Sequence, residues 1–344
     1  MKHHVLVARH DNNGDVILAG PALRAVAAGA SRVTFLCGPR GRAAAALLPG
    51  VDELLVWEAG WIDAEPQAVS RADVDALLDR LVKLRIDQAF ILTSYHQSAL
   101  PLALLLRMAG IKTIAANSDD YAGSLLDVRM RPSNDIHEVV RSLSLVAALG
   151  YAPAASDSPR LALRLPQGPP MHPFRGRPFI AVHPGASVPA RTWSPGRYGD
   201  LVSVLAARGD RVVVTGGPED DEVACAVAGP QRANVLNFAG QTHFTQFARI
   251  LGEASVVVSG NTAAAHVAAA VGTATVSLFP PTIPAVRFRP WQVPHVLLGD
   301  QTISCAGCRA RVCPVEGHPC IESVSVQDAL AAIDSLAVAE AAAS

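Results

Sequence analysis

At 344 residues the chain exceeds the roughly 100–200 residues of a usual domain, so two domains with separate cores are expected. Half of it is apolar and only 17% is charged, which excludes a disordered chain. Lys and Arg number 29 against 30 Asp and Glu, a formal charge of -1, so nothing in the balance calls for nucleic acid or an anionic membrane as a partner.

Short β-rich apolar runs alternate with Ala/Leu-rich stretches, the pattern of parallel strands joined by crossover helices. In chain order, strands are predicted at 5–8, 32–36, 53–56, 88–92 and 113–115, with helices near 16–28, 43–48, 71–84 and 100–109. The stretch LPQGPPMHPFRGRP, residues 165–178, carries five prolines and two glycines and reads as a linker or hinge. Beyond it, strands at 179–182, 211–215, 235–238, 255–258 and 275–278 alternate with helices near 195–207, 220–227, 245–253 and 263–270. An Ala-rich last helix runs from 326 to about 342. Each half has enough of both elements to cover the two faces of a parallel sheet. The expected fold is therefore α/β, two doubly wound Rossmann-like domains facing a cleft. The apolar run at 5–8 is too short for a signal peptide, and the charge-free stretch 254–286 is broken by Gly, Asn, His and Pro. A cytoplasmic protein without a transmembrane segment is expected.

Five segments carry residues suited to chemistry. The first, VLVARHDNNGDVILAGPAL, is a strand, turn and helix start, and the carboxyl ends of strands are where ligands collect in open α/β sheets. Asp15 there reads either as a helix cap stabilised by the helix N-terminus or as a general base in a cleft, with Gly14 allowing a tight turn. The glycine fingerprint of a dinucleotide site is missing from this position, which argues against a nicotinamide dehydrogenase. In the second segment, HPGASVPARTW, the turn of Pro184 to Ser187 with Arg191 nearby either receives a phosphate or is an ordinary strand-to-helix loop. The third, TGGPEDDEV, sets Gly216 and Gly217 before acidic residues up to Glu222, which serve the helix dipole or accept hydrogen bonds from a ribose. The fourth, SGNTAAAHVAAAV, runs through Asn261 and Thr262 into a helix whose small first residues from Ala263 let a diphosphate approach the free N–H groups, with His266 beside them. The fifth holds Cys305, Cys308, Cys313 and Cys320 with x2, x4 and x6 gaps, read as a structural zinc site or as free, oxidisable thiols.

Taken in order, NNGDVILAGPAL, HPGAS, TGGPEDDE, SGNTAAAHVAAAVGTATVSLFPPTIP and the cysteine run resemble glycosyltransferase family 9, the ADP-heptose heptosyltransferase family. The resemblance implies a GT-B architecture: an acceptor-binding domain at 1–165, a linker at 166–178, a donor-binding domain at 179–326 and a terminal helix at 327–344 whose packing partner is open. It implies inverting, metal-independent transfer with no required cofactor, from a nucleotide sugar, ADP-heptose, to a hydroxyl acceptor. By position Asp15 matches the family's catalytic base. Ser187 and Arg191 match its diphosphate contacts, Thr262 and Ala263 its phosphate turn, Glu222 or its acidic neighbours fall near the nucleoside, and His266 follows in the donor loop. The family usually has Asp where this chain has Asn261, so a neutral amide stands near the donor sugar. High Ala and Arg with little Lys suggest a GC-rich genome and a natural-product or cell-surface glycan as acceptor. A sugar-nucleotide epimerase on the same scaffold, or a binding protein that has lost transfer, are the alternatives.

Overall fold

The computed structural model describes residues 2–62, 67–94, 97–172, 174 and 176–343; Pro173 and Arg175 of the predicted linker and Ser344 of the last helix lie outside the described residues. The chain divides into two compact units, Met1–Arg164 and Leu165–Ser344. The first runs β1 (His4–Arg9), α1 (Asn13–Leu18), α2 (Gly20–Gly29), β2 (Arg32–Cys37), α3 (Arg42–Ala45), β3 (Glu53–Val56), α4 (Arg71–Leu84), β4 (Gln88–Ile91), α5 (Leu100–Met108), β5 (Thr113–Asn117), β6 (Val128–Met130) and α6 (Glu138–Ala147). The second runs β7 (Ile180–His183), α7 (Pro195–Ala207), β8 (Val212–Val214), α8 (Asp221–Ala228), β9 (Val235–Asn237), α9 (Phe244–Glu253), β10 (Val256–Gly260), α10 (Ala263–Val271), β11 (Ala274–Leu278), α11 (Ala285–Phe288), β12 (His295–Leu298), α12 (Pro319–Glu322) and α13 (Val326–Ala343).

Among the described residues each unit holds one six-stranded sheet, ordered β3-β2-β1-β4-β5-β6 and β12-β11-β10-β7-β8-β9. All the pairings within them are parallel. Two Rossmann-like α/β sheets of GT-B type result, as the alternation of short strands and helices predicts. Both faces of a parallel sheet are covered, so the central strands carry unbroken apolar runs. In β1 every residue from Val5 to Arg9 is buried. Strand alternation sends Leu6 and Ala8 to the face where Leu77, Leu81, Leu102 and Leu106 of α4 and α5 pack. Val5, Val7 and Arg9 point to the opposite face. In the second unit Val182, Val214, Val258 and Val276 pack with Tyr198, Leu201 and Leu205 of α7, and Ala329, Ile333 and Leu336 of α13 join the same cluster. The Ala-rich terminal helix therefore belongs to the second unit's core.

Departures from the predicted elements have local causes. One helix is predicted over 16–28, but the chain forms α1 and α2 with Ala19 between them. Pro21 lies in the first turn of α2, where its missing N–H is harmless, whereas inside a continuous helix its ring would clash with the preceding turn. Helix α6 is absent from the prediction because its N-cap is His137, whose Nδ1 accepts from the Val139 N–H at 3.2 Å, instead of one of the usual small polar caps. Strands β6 and β12 each lie at a sheet edge and have only three and four residues, too few for a readable alternation.

Candidate active site

In the first unit the charged cluster begins at the carboxyl end of β1, which lies between β2 and β4. A cation in a central strand is costly unless it is paired, and Arg9, only 2% exposed, is paired several times over. Its Nε lies 2.5 Å from Asp11 Oδ2, its Nη2 donates to Asp15 Oδ1 at 3.0 Å, and its Nη1 lies 3.9 Å from Glu138 Oε2. Glu138, on α6, also pairs with Arg141 at 3.4 Å, and Asp11 accepts a hydrogen bond from Gln97. Asp15 stands in the first turn of α1, whose N-cap position is Asn12. Its carboxylate is directed at Arg9, so the helix-cap reading gives way to an ion pair.

The side chain of Asp15 is 25% exposed, against 2% for Arg9, 8% for Asp11 and 2% for Glu138, so it is the most open carboxylate of the cluster. Burial pushes its carboxyl up to about 6, and the negative charges of Asp11 and Glu138 push the same way against the opposing pull of Arg9. Burial works against the charge of Arg9, but the three carboxylates more than offset it, and its affinity for the proton rises. His10, on the opposite face, is pushed down to about 4 by burial, opposed by Asp11, and its ring meets Trp57 edge-on. Of the cluster only Asp15 is among the predicted site residues. The signal for Arg9 was present in VLVARHD, one charge at the end of an apolar strand; Glu138 carried none, because α6 was not read as a helix.

In the second unit, adjacent strands β7 and β10 bring two of the predicted turns together at their carboxyl ends. After β7 the chain passes Pro184 to an exposed Ser187, then a 3-10 turn at Pro189–Arg191. After β10 comes Asn261, then Thr262, whose Oγ1 caps α10 by accepting from the Ala264 N–H at 3.3 Å. A Cβ on Gly260 would lie 2.8 Å from the carbonyl oxygen of Arg191, so glycine allows the two turns to touch. Ala263 thus opens a nine-residue helix beside Arg191, with His266, 5% exposed, one turn further on. Asn261 is 6% exposed, and among the described residues its Nδ2 finds no hydrogen-bond partner.

Gly216 and Gly217 lie beyond β8, where the Gly217 N–H donates to Asp220 Oδ2 at 2.8 Å. A Cβ on Gly185 would run into that same carboxylate, so Asp220 is wedged between the ends of β7 and β8. A cavity of about 380 Å³ opens here, lined among others by Gly185, Thr192, Trp193, Asp220, Val223 and His318. Glu222 is exposed on α8 and does not line it; the acids that do are Asp220 and Glu322. The cysteine loop abuts this region through the Ala190 N–H, which donates to the Arg311 carbonyl at 2.9 Å. Cys320 is buried while Cys308 is exposed, and among the described residues no group of three or more His, Cys, Asp or Glu is arranged to hold a metal ion. The Cys320 thiol is pushed up to about 11 by burial and by the neighbouring Cys313, Cys305 and Cys308, so the four thiols lie near one another; no step is assigned to a metal there. Nor, among the described residues, is any helix long and apolar enough to cross a membrane.

Residues 79–318 match glycosyltransferase family 9 (heptosyltransferase). Lipopolysaccharide heptosyltransferase 3 of Escherichia coli is 30% identical over 155 residues, 44% of this chain and 43% of that protein, so the match spans less than half of the curated relative's length. The crystal structure of a family 9 glycosyl transferase from Veillonella parvula superimposes with a TM-score of 0.82 over 98% of both chains at 16% identity. That of the E. coli ADP-heptose lps heptosyltransferase II gives 0.76 over 99% of both at 20% identity. With the family pattern matched over most of its length, the chain belongs to glycosyltransferase family 9, the heptosyltransferase family.

Proposed function

We propose that the protein transfers a heptose from ADP-heptose, with inversion and without a divalent metal, to a hydroxyl of a natural product or cell-surface glycan. The first unit, up to residue 165, takes the acceptor, and the second, 179–326, takes the donor, with 166–178 as their linker. Its six free cysteines suit the reducing cytoplasm. The donor assignment draws on the name of the E. coli ADP-heptose enzyme with the same fold. The family match favours a transferase over an epimerase or a non-catalytic binder.

The observation that carries this reading is the Asp15 carboxylate, oriented by Arg9 at 3.0 Å, its carboxyl pushed up to about 6 by burial and by its acidic neighbours. Above that pH it is ionised and ready to accept the proton of the acceptor hydroxyl, whose oxygen attacks the anomeric carbon as the bond from that carbon to the diphosphate oxygen breaks. The departing diphosphate takes the bonding electron pair, and its growing charge falls to Arg191, Ser187 and the positive N-terminal end of α10. Asn261 would offer its unpartnered amide to the donor, and Gly216, Gly217 and the acids after them, Glu222 included, bound the nucleoside side.

A positioned base is worth about 100- to 10,000-fold, so Asp15→Asn should fold yet lose transfer by that order, measured as acceptor-dependent ADP release from ADP-heptose. Near-normal turnover would remove the assignment. Because the charge complement is supplied by Arg191 and main-chain amides, turnover should persist in EDTA; loss restored by magnesium or manganese would overturn the leaving-group account.

A further inference from the structure

Arg9 touches three carboxylates, and their distribution is uneven in a way the base reading leaves unexplained. Asp11 and Asp15 lie within six residues of Arg9 in sequence, but Glu138 arrives from α6, at 2% exposure, with Arg141 behind it. A carboxylate alone on a buried guanidinium has its proton affinity pulled down by about 1–3 pH units, and a base so weakened takes a proton poorly near neutrality. With two further carboxylates on the same cation, Arg9 and Arg141 carry, among the described residues, two positive charges against the three negative charges of Asp11, Asp15 and Glu138. Of the three it is Asp15 whose proton affinity is raised, by burial and by the charges of Asp11 and Glu138.

We propose that Glu138 is a positioning residue: by sharing Arg9 with Asp15 it lets the guanidinium fix the direction of the Asp15 carboxylate without claiming its charge. This rests on Asp15 being the base. Asp11 acts in the same sense, held by Gln97. Among the described residues, the other charged side chains on the elements packed most against α1 are cations: Arg24 of α2, engaged by Asp157, and Arg40 and Arg42 beside and within α3. They stay constant across the variants below. The direction follows: removing the Glu138 charge takes a like charge from Asp15 and frees more of Arg9 and Arg141 to stabilise its ionised form.

The test is the Asp15 titration itself, followed by carbon-13 NMR of the side-chain carboxyl in aspartate-labelled full-length protein, with Asp15→Asn assigning the resonance. Glu138→Gln should lower the midpoint by about 1 pH unit, and the acidic limb of kcat/KM should move down with it. Glu138→Asp should return both toward the wild-type values. Should Glu138→Gln fail to fold, Arg141→Gln decides the matter by its opposite sign, since it takes a positive charge away from the Glu138 carboxylate and should raise the Asp15 midpoint. An unmoved midpoint in folded Glu138→Gln, or in Arg141→Gln where the former does not fold, overturns the proposal. The two readings fail separately: full transfer by Asp15→Asn with a shifted midpoint in Glu138→Gln removes the base alone, whereas an inactive Asp15→Asn with an unmoved midpoint removes the positioning role alone.

Discussion

Asp15 holds its proton more tightly in the fold than in the open chain, about 6 against 3.8, and the sign of the resulting stability effect is fixed. Between those two values the folded protein binds more protons than the unfolded one, so stability falls as pH rises through that window, and the ionised carboxylate remains a burden above it. Asp15→Asn removes the burden. It should melt higher than the wild type at pH 7.5, by on the order of 1–3 kcal/mol, with the difference gone below about pH 4. Thermal unfolding of both proteins across that range is the check; equal melting temperatures at all pH values would contradict the shift. A functional residue that costs stability is the expected trade. The sequence makes Asp15 legible through its place after an apolar strand and before a helix. It does not make Arg9 and Glu138 legible as its partners, because that relation joins the end of β1 to the first turn of α6.

At the scale of elements, contact between the turns after β7 and β10 depends on a position without a side chain. Gly260→Ala would place a methyl group 2.8 Å from the Arg191 carbonyl, and the Gly260 backbone cannot yield freely because it is paired in register with Leu278 of β11. The expected cost is about 1–3 kcal/mol of stability, with a donor KM raised about tenfold and kcat changed less, read from melting curves and initial rates. An unchanged KM would detach this contact from donor binding. The strands bearing these turns were readable because β7, β10 and β11 are short apolar runs closed by Gly, Pro or Asn. The edge strands β6 and β12 and the His-capped helix α6 were not, since what holds them is pairing and packing at a distance, to which local sequence is nearly blind.

At the scale of the molecule, each unit has its own sheet and its own apolar cluster. If the second unit is the donor-binding half, a piece comprising Leu165–Ser344 should unfold cooperatively, and ADP at one hundred times its Kd should add about 2.7 kcal/mol to its stability, while Met1–Arg164 gains nothing from ADP. Differential scanning fluorimetry of the two pieces checks this, and a shift confined to the first would reverse the assignment of halves. The division into two sheets was legible because the linker is dense in proline and each half repeats the same alternation.

The two units are also consecutive in the chain, and this bears on how the protein is made. Of the six strands of the first unit β1 is made before the others and lies inside the sheet, with β2 and β3 on one side and β4, β5 and β6 on the other. At about 5–20 residues per second, synthesis of Leu165–Ser344 takes about 10 to 40 seconds after the first unit is complete. The lobe that carries Asp15 therefore has time to assemble while the remainder is still being translated.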